Sequence, residues 1–465
     1  MHVYFLGIAG AGMSALASLL ASRGVQVSGS DDDAFPPVTT YLERLGIPYH
    51  LGFDAAQVPD DVDAAVIGSS AKLDLPHNPE LAELQRRGVR LQSFADLLGA
   101  LTTERETIVV AGSFGKSTVS ALLAHLLRAG GRDPGWFVGA VPLDLPATGF
   151  WGSDPTLVVE GDEYVVSPDD RRSKFLLYEA QALIITSLVH DHVNVFPTMA
   201  RYEAPFATLV ERLPGDAPLV CARGYEPLDR IARSREAVWY GLGDGSGYCG
   251  MDIRIGEVTR FDLALPSGRR VPVATELLGL HNIENIVGAA ALLLEQGLLS
   301  ADQIAEGAAS FHGVARRLDR KTRTSRVPVY EGFGSSYEKA RSAIEAVRLH
   351  FPRRRLFVVF EPHAFSWRNA EALAWYDTVF EGVAEVVLMP PPDHGAEGHA
   401  QLDQRAIATR ISAAGVSCRA AAGAAEAQAL IESAIAEDCV VLLLSSGPLG
   451  GLAQTLPPRL DALWS

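Results

Sequence analysis

Short runs of apolar residues alternate with amphipathic helical patterns along the chain. Near the amino terminus, a predicted strand at Met1–Leu6 is followed by a glycine-rich turn and a predicted helix at Ala15–Arg23. The same order recurs at Thr107–Val110, a β-branched run that predicts a buried strand, before a second glycine-rich turn and a helix at Val119–Ala129. Strands that alternate with helices are typical of parallel sheets, so the pattern predicts an α/β protein.

Further apolar runs extend this alternation through the rest of the chain. The other predicted strands are Val25–Ser28, Val66–Ser70, Val89–Ser93, Pro155–Glu160, Ala182–Ser187, Val327–Tyr330, Leu356–Phe360, Val386–Met389 and Val440–Leu444. The other predicted helices are Ile286–Leu294, Tyr337–His350, Asn369–Glu381, Gln404–Ala414 and Ala424–Ala436. A chain of 465 residues is too long for one hydrophobic core, and we expect three domains at 1–104, 105–318 and 319–465.

The composition is that of an ordinary globular protein, with 48% hydrophobic and 21% charged residues. Its net charge of −16 argues against a general binder of nucleic acid or anionic membranes, but it is compatible with a local basic pocket for phosphates. No apolar run reaches the ~20 residues that span a bilayer, and the amino terminus lacks the pattern of a signal peptide. Four scattered cysteines without metal-ligand spacing favour buried thiols, so we expect a cytoplasmic protein.

The second glycine-rich turn has the features of a phosphate loop. Glycines let backbone N–H groups approach phosphate oxygens at a helix N-terminus, while a lysine reaches the outer phosphates and a hydroxyl binds Mg²⁺. The loop is a shortened form, because the usual eight-residue pattern would place a glycine at Val110. The chain has only five lysines, which favours a functional Lys116 over an incidental surface lysine. The predicted nucleotide-binding residues here are Gly112, Ser113, Gly115, Lys116, Ser117 and Thr118.

The first glycine-rich turn belongs to a βαβ unit of the dinucleotide-binding type. Its spacing is G-x-x-G-x-G, which differs from the G-x-G-x-x-G of most NAD-binding proteins, and a plain tight turn remains the alternative. Asp31 follows the loop by about 20 positions, where a carboxylate suits a ribose hydroxyl. We expect a nucleotide-like substrate at the carboxyl ends of these strands. The predicted substrate-binding residues are Gly7, Gly10, Gly12, Met13, Ser14, Asp31, Ser69 and Ser70.

The order and separation of the first loop, of Gly29-Ser30-Asp31 and of the phosphate loop resemble the Mur ligase family, in the branch that uses UDP-N-acetylmuramate. Within that branch, Phe35–Glu43, Asp170–Phe175 and the glycine-rich segment 445–452 resemble the murein-peptide ligases. The resemblance covers essentially the whole chain. It implies a Rossmann-like N-terminal domain for the UDP-sugar, a central P-loop ATPase-like domain with a mostly parallel sheet, and a Rossmann-like C-terminal domain that delivers the amine and closes the ATP site.

The resemblance also assigns roles to single residues. Glu160 and His192 match the Mg²⁺ site of the family together with Ser117, and with Lys116 they form the predicted catalytic set. From the residues alone, a surface acidic turn and a core or surface histidine remain the alternatives, and His190 is the other candidate of the H-x-H pair. The resemblance further places His281, Asn282 and Asn285 near the adenine and phosphates. The guanidinium group of Arg317 suits a phosphate, with an incidental surface arginine as the alternative. His363 lies just past a predicted strand end, a usual position for a substrate ligand.

The implied activity is that of an ATP-dependent amide ligase of peptidoglycan synthesis or murein recycling. With ATP and Mg²⁺, it would join an amino acid or a short peptide to UDP-N-acetylmuramate through an acyl phosphate, as a monomer or homodimer. The alternatives are an alanine-adding ligase, an active ligase with a changed substrate, and a binding protein of the same fold that has lost turnover.

Several positions depart from the family pattern. In the phosphate loop, Ser113, Phe114 and Ser117 replace threonine, histidine and threonine, and Val189 replaces a glutamate three residues before His192. In the last domain, an expected aspartate and two histidines are replaced by Gly332, Ser335 and Ser336. No lysine lies between Lys174 and Lys321, so the carbamylated lysine of some relatives has no counterpart in its usual place.

Overall fold

The computed structural model describes residues 1–34, 38–68, 77–167, 169–192, 195–243, 247–392 and 401–465. The predicted substrate residues Ser69 and Ser70, and Phe35 of the peptide-ligase-like segment, lie outside the described residues. Three sheets, each flanked by helices, account for the described strands. This arrangement confirms the predicted α/β class.

The first sheet has five parallel strands in the order β3-β2-β1-β4-β5. Its elements are β1 (His2–Leu6), α1 (Ala11–Ser22), β2 (Gln26–Asp31), α2 (Val38–Arg44), β3 (Tyr49–Leu51), β4 (Ala64–Ile67), α3 (Pro79–Arg86), β5 (Arg90–Ser93) and α4 (Phe94–Thr102). The strand order reverses direction between β1 and β4, and such a switch point forms a crevice at the carboxyl ends of the strands. The first glycine-rich turn follows β1 at that edge.

The second sheet has ten strands in the order β15-β14-β13-β12-β11-β10-β6-β9-β7-β8. Its strands are β6 (Glu106–Ala111), β7 (Gly135–Phe137), β8 (Gly149–Phe150), β9 (Thr156–Glu160), β10 (Ala182–Ile185), β11 (Leu219–Ala222), β12 (Ala237–Leu242), β13 (Tyr248–Arg254), β14 (Thr259–Ala264) and β15 (Arg270–Thr275). Its helices are α5 (Lys116–Ala129), α6 (Met199–Arg212), α7 (Glu226–Ile231), α8 (Leu280–Glu295) and α9 (Ala301–Ala309). Strand β6 lies between β9 and β10, parallel to both, which puts the phosphate loop at the centre of this sheet.

The third sheet has six strands in the order β16-β17-β21-β18-β19-β20, with β16 antiparallel to β17 and the other pairs parallel. Its strands are β16 (Arg317–Arg320), β17 (Val329–Phe333), β18 (Arg355–Phe360), β19 (Glu385–Leu388), β20 (Ser417–Ala420) and β21 (Cys439–Ser445). Its helices are α10 (Tyr337–His350), α11 (Phe365–Arg368), α12 (Gln404–Ala413), α13 (Ala424–Ala434) and α14 (Leu452–Leu463).

One predicted helix of this last region is wrong. Instead of a helix over Asn369–Glu381, the chain forms the short α11 and then a 3₁₀ helix at Ala370–Asp377. The rings of Trp367 and Tyr376 are both buried, and the Tyr376 hydroxyl donates to the Trp367 carbonyl at 2.9 Å. These tertiary contacts determine the conformation of the segment. The hydrophobic periodicity from which the helix was predicted does not reveal them.

Two compact units make up the chain. One comprises residues 1–253, 260–275 and 281–313, and the other comprises residues 254–259, 276–280 and 314–465. Within the first unit, the first two sheets share one hydrophobic core. The Ser18 hydroxyl donates to the carbonyl of Gly149 at 2.6 Å, and the Tyr41 hydroxyl accepts from the Thr148 N–H at 2.9 Å. The predicted boundaries at residues 104 and 318 stay predictions.

Among the described helices, none combines the length and the apolar character that crossing a membrane requires. All four cysteines have free thiols, and three of them are buried. Burial raises the pKa of the Cys221 thiol to about 12, so it stays protonated and unreactive at neutral pH.

Candidate functional site

The phosphate loop joins the end of β6 to the start of α5. Gly112 and Gly115 have φ angles of 136° and 84°, a region that glycine adopts without steric cost. A Cβ atom at Gly112 would overlap the hydroxyl of Thr186, and one at Gly115 would lie 2.9 Å from Oδ1 of Asn285. Both glycines are therefore required by conformation and by space, which is the geometry that the sequence pattern predicts.

The loop is tied to the segment that follows β10. The backbone N–H of Phe114 donates to the Ser187 hydroxyl at 2.8 Å. The Ser113 hydroxyl donates to the Val189 carbonyl at 2.7 Å and accepts from the Val189 N–H at 2.9 Å, while the Ser113 N–H donates to the Ser187 carbonyl at 3.2 Å. Ser113 is buried, so its polar groups hold the loop in shape, and its predicted role as a direct nucleotide ligand stays a prediction.

Lys116 is held by a buried carboxylate. Its ammonium group donates to the Gly112 carbonyl at 2.6 Å and lies 2.8 Å from the carboxylate of Glu163, which is 1% exposed. Burial would lower the pKa of Lys116, but the combined attraction of Glu163, Glu160 and Asp162 outweighs it and raises that pKa overall. Lys116 is therefore charged and aimed back over its own loop, where a phosphate oxygen would sit.

Glu163 is the functional residue that sequence reasoning missed. It accepts from Tyr202 at 3.3 Å and lies 3.3 Å from Nε2 of His192, in addition to its ion pair with Lys116. Contact with Glu163 raises the pKa of His192, against the opposing effect of burial. Glu163 lies three positions after Glu160, the last residue of β9, in a short acidic segment. Its place in that segment is the signal by which the sequence could have identified it.

Glu160 and Ser117 form a second polar pair at the same loop. The Ser117 hydroxyl donates to Oε1 of Glu160 at 2.7 Å, and Oε2 of Glu160 accepts from the Gly139 N–H at 2.7 Å. Hydroxyl and carboxylate oxygens are ligands that Mg²⁺ prefers, so this pair fits the metal. His192 contacts Glu163 and the edge of the Tyr164 ring, and its nitrogen is a less suitable Mg²⁺ ligand than these oxygens.

Mg²⁺ usually keeps several water and phosphate ligands. Among the described residues, no three His, Cys, Asp or Glu side chains are arranged to hold a metal ion. Two protein oxygens beside a phosphate loop are consistent with this kind of magnesium site. His190, the other candidate histidine, makes a 2.6 Å hydrogen bond to the Phe196 carbonyl.

The predicted adenine-side residues lie at the start of α8. Asn282 and Asn285 are buried inside the first turns of the helix, where the Asn285 amide donates to Oδ1 of Asn282 at 3.1 Å. The approach of Asn285 to Gly115 brings this helix to the phosphate loop. His281 is exposed beside them, and Thr118 is partly exposed in the first turn of α5.

One cavity of about 610 Å³ joins the first glycine-rich turn to the phosphate loop. Its lining includes the predicted substrate residues Gly7, Gly10, Gly12, Met13 and Asp31, together with Lys116 and Glu160. Ser14, the remaining predicted residue of that turn, is buried in α1 and donates to the Ala11 carbonyl at 3.1 Å. Asp31 accepts from the backbone N–H of Ala9 at 2.8 Å, so its carboxylate shapes the turn as well as facing the cavity.

The cavity also has an apolar wall and a basic residue that the sequence did not single out. The rings of Phe94 and Phe137 line it with their centroids 5.5 Å apart, and a Cβ atom at Gly12 would lie 3.3 Å from Phe94. Lys174 lines the cavity too, paired with Asp162 at 2.6 Å. The sequence analysis had noted this segment only for its resemblance to the murein-peptide ligases.

His363 lies in the second unit, and so does Arg317, which was predicted as a phosphate ligand of the central domain but begins β16 of the third sheet. Arg317 is exposed, with its guanidinium 5.1 Å from the centre of the Phe333 ring. His363 packs closely on Gly447, and the neighbouring Glu361 accepts from the Ser445 hydroxyl at 2.6 Å. These groups lie past the carboxyl ends of β18 and β21, where parallel sheets bind ligands.

Two of the departures from the family pattern have structural roles in this unit. The Ser336 hydroxyl accepts from the backbone N–H of Lys339 and caps α10. The Ser335 carbonyl accepts from the Ser366 hydroxyl at 2.9 Å. Gly332 lies in β17, where an added Cβ would approach Leu444 to 3.3 Å.

Comparison with known families gives two matches. Residues 2–106 match the Mur ligase family, catalytic domain, and residues 110–293 match the Mur ligase middle domain. Together they span the first sheet and most of the second, including both glycine-rich turns.

Comparison with individual proteins gives a consistent result. The UDP-N-acetylmuramate–L-alanine ligase of Roseiflexus sp. (strain RS-1) is 32% identical, over 81% of this chain and 82% of that protein. The structure of UDP-N-acetylmuramate–alanine ligase MurC from Thermotoga maritima matches with a TM-score of 0.82 at 22% identity, covering all of both chains. A murein peptide ligase structure from Psychrobacter arcticus 273-4 matches with a TM-score of 0.70 at 21% identity, also covering both chains fully.

These comparisons do not support the expected closeness to the murein-peptide ligases. The relatives of similar sequence are named as UDP-N-acetylmuramate–L-alanine ligases. The short segments that suggested the peptide branch cover only a small part of the chain, whereas these sequence matches cover most of it.

Proposed function

This chain belongs to the Mur ligase family, and from that premise we propose that it is an ATP-dependent ligase that joins an amine to the carboxylate of UDP-N-acetylmuramate. The proposed first step is transfer of the γ-phosphoryl group of ATP to that carboxylate. The amine then attacks the resulting acyl phosphate, and the tetrahedral intermediate expels phosphate as the amide forms.

The observation that carries this proposal is the shared cavity. A ligase of this type must bring a sugar nucleotide and the terminal phosphate of ATP to one point. The turn at the N-terminus of α1 and the phosphate-loop residue Lys116 line the same 610 Å³ cavity. Helix N-termini favour anions, so the first turn suits the diphosphate of a sugar nucleotide. A separate binding protein for either nucleotide would not need both loops to face one space.

Lys116 would stabilise the charge that develops on the phosphoryl oxygens during transfer. Electrostatic positioning of this kind provides most of the catalysis in phosphoryl transfer. Glu163 keeps Lys116 protonated and oriented, and the backbone N–H groups of the phosphate loop add further donors. Nε2 of His192 lies 3.3 Å from the carboxylate of Glu163, so His192 also helps to position that carboxylate.

Mg²⁺ would be held by Ser117 and Glu160, with His192 as the family-implied third residue. When bound there, the ion neutralises charge on the ATP phosphates. The Gly139 N–H holds Oε2 of Glu160, so the carboxylate would keep its orientation if the Ser117 hydroxyl exchanged its bond to Oε1 for a metal.

We further propose L-alanine as the amine, with a short peptide as the alternative. The names of the matched relatives support L-alanine. The amine would be delivered by the last region, around Glu361 and His363, while residues 1–104 bind the UDP-sugar and 105–318 bind ATP. The proposal puts the reaction in the cytoplasm, where ATP is available and where the four free thiols of this chain would stay reduced; it leaves a monomer or a homodimer open.

The test is phosphate release from purified protein with Mg²⁺, ATP and UDP-N-acetylmuramate. We expect release that depends on L-alanine, and a product whose mass exceeds that of UDP-N-acetylmuramate by one alanyl residue. Release that depends instead on L-Ala-γ-D-Glu-diaminopimelate would replace alanine by the peptide. Absence of amine-dependent release with both amines would contradict the ligase function.

A second candidate is a binding protein of the same fold without turnover. Its specific support is the replacement of polar family residues by Gly332, Ser335 and Ser336 in the region that would deliver the amine. This candidate predicts binding of ATP and UDP-N-acetylmuramate in calorimetry without phosphate release for any amine.

A further inference from the structure

The cavity contains a second lysine besides Lys116. Lys174 lines it with its side chain 13% exposed. Of the described residues that line the cavity, Lys116 and Lys174 are the two with basic side chains. Lys116 serves the transferred phosphoryl group in the proposed reaction, which leaves Lys174 without a role.

Lys174 is held in a fixed position on the cavity wall. Its backbone N–H donates to the Tyr164 carbonyl at 2.9 Å, and the next N–H, of Phe175, donates to the Asp162 carbonyl at 3.1 Å. The Phe175 side chain is completely buried. Ordering a lysine side chain on ligand binding costs conformational entropy. These backbone hydrogen bonds and the burial of Phe175 already restrict the backbone that carries Lys174, which reduces that cost.

The ammonium group of Lys174 keeps donors for a ligand. It lies 2.6 Å from Oδ2 of Asp162, its one hydrogen-bond partner within the described part of the chain. The other oxygen of Asp162 accepts from the Tyr164 N–H at 2.9 Å, which fixes the carboxylate. Because an ammonium group has three N–H donors, two remain for an anion in the cavity.

We propose that Lys174 binds the carboxylate of the sugar substrate, the group that receives the phosphoryl group. This inference rests on the proposed function. The substrate has two anionic groups, and its diphosphate suits the glycine-rich turn before α1. The carboxylate must come close to Lys116, and Lys174 is paired with Asp162, the neighbour in sequence of the Glu163 that holds Lys116.

Lys174 would thereby act as a specificity residue as well as a positioning one. A carboxylate and a terminal phosphate repel each other, and a cation beside the carboxylate reduces that repulsion when both are bound. UDP-sugars that lack a carboxylate would leave Lys174 paired only with Asp162. The cavity would therefore select a sugar nucleotide that carries an acid.

The test compares binding of UDP-N-acetylmuramate and UDP-N-acetylglucosamine, which lacks the carboxylate, by calorimetry without ATP. For Lys174→Met we expect about 10- to 100-fold weaker binding of UDP-N-acetylmuramate, as for loss of a charged hydrogen bond. Binding of UDP-N-acetylglucosamine should change by less than about 3-fold, since this ligand has no carboxylate for Lys174 to bind. Lys174→Arg should recover part of the preference.

The matched control is Arg172→Met, which removes an exposed cation of the same segment that pairs with Asp170. We expect it to change neither affinity. If Lys174→Met does not fold, Asp162→Asn is the second variant, and it should increase the preference for UDP-N-acetylmuramate because the ammonium group loses its competing partner.

Four outcomes would overturn the inference. Equal losses for both UDP-sugars in Lys174→Met would assign Lys174 to the diphosphate, and no loss for either would remove it from the site. A reduced preference in Asp162→Asn would contradict it as well. Wild-type protein that binds UDP-N-acetylmuramate without amine-dependent turnover would end the ligase proposal and leave this inference standing, whereas failure to bind either UDP-sugar would end both.

Discussion

The ammonium group of Lys116 lies 2.8 Å from the carboxylate of Glu163, a residue that is 1% exposed. The pair links the phosphate loop to the end of β9, and Tyr202 and His192 complete the surroundings of the carboxylate. In the proposed reaction, catalysis and stability therefore depend on the same contact.

Replacing Lys116 tests both roles at once. We expect Lys116→Met to lower phosphate release by at least about 10²-fold, because a preorganised charge at the transferred group is lost. We also expect a loss of about 3–5 kcal/mol in the free energy of unfolding, because Glu163 is left buried without its partner. Steady-state kinetics and urea denaturation measure the two effects.

The double variant Lys116→Met/Glu163→Gln separates these effects. It should regain most of the lost stability, since no buried charge remains unpaired, but none of the activity. Recovery of turnover in the double variant would show that Lys116 acts only as a structural partner of Glu163.

Glu160 provides a prediction about the metal. We expect Glu160→Gln to raise the Mg²⁺ concentration that half-saturates phosphate release by about 10-fold or more, because a neutral amide is a poorer ligand than a carboxylate. A Mg²⁺ titration of the proposed reaction measures this. The control is Glu179→Gln, an exposed glutamate of the same unit, for which we expect an unchanged titration. An unchanged titration in Glu160→Gln would remove Glu160 from the metal site.

Gly149 provides a prediction about packing in the first unit. A Cβ atom there would overlap the carbonyl of Ala15 in α1, at the place where the first two sheets share a core. We expect Gly149→Ala to lower the free energy of unfolding by about 1–3 kcal/mol, as overpacking does. In the control Gly215→Ala, the added Cβ meets nothing within 4 Å, and its effect should be small. Equal effects of the two variants would contradict this account.

His350 provides a prediction about pH. The buried ring accepts from the Gly279 N–H at 2.8 Å through Nε2, and Nδ1 lies 2.8 Å from the Gly256 carbonyl. An acceptor Nε2 requires the neutral ring, and burial lowers the pKa of His350 below its usual value. The unfolded chain, with a histidine pKa of about 6.5, then binds the proton more readily. The stability that His350 contributes is therefore present above about pH 6.5 and lost below it.

The measurement is the free energy of unfolding of wild type and His350→Gln at pH 8 and pH 5.5. At pH 8, wild type should be more stable than His350→Gln. At pH 5.5, this difference in the free energy of unfolding should be smaller. A difference that is constant with pH would show that His350 does not titrate on unfolding in this range.

Much of the fold could be predicted because the sequence records local preferences. The helix Tyr337–His350 was predicted with its observed bounds, and the strand before and the helix after each glycine-rich turn were predicted within a few residues. Strands β12 to β15 were not predicted. Their residues lie at one end of the second sheet, where the alternation of strand and helix stops.

The candidate site was predictable only in part. Gly112, Lys116 and Ser117 lie within six positions of each other in the sequence. A short sequence motif is therefore enough to identify them as a phosphate loop. The pairing of Lys116 with Glu163 depends on where β9 ends beside β6, and no local pattern records that register. Lys174 reaches the cavity because residues 174–175 hydrogen-bond to the backbone of residues 162–164, which follow β9. The sequence pattern does not record this contact.

The sequence by itself determined the α/β class and the two glycine-rich turns and predicted a nucleotide chemistry for them, because these follow from the order of residues within about fifteen positions. Only the tertiary structure decided that both turns face one cavity, that Glu163 and not Glu160 holds Lys116, and that Lys174 joins them. The physical reason is that side chains distant in sequence meet through strand order and core packing, which are properties of the whole chain and not of any one segment.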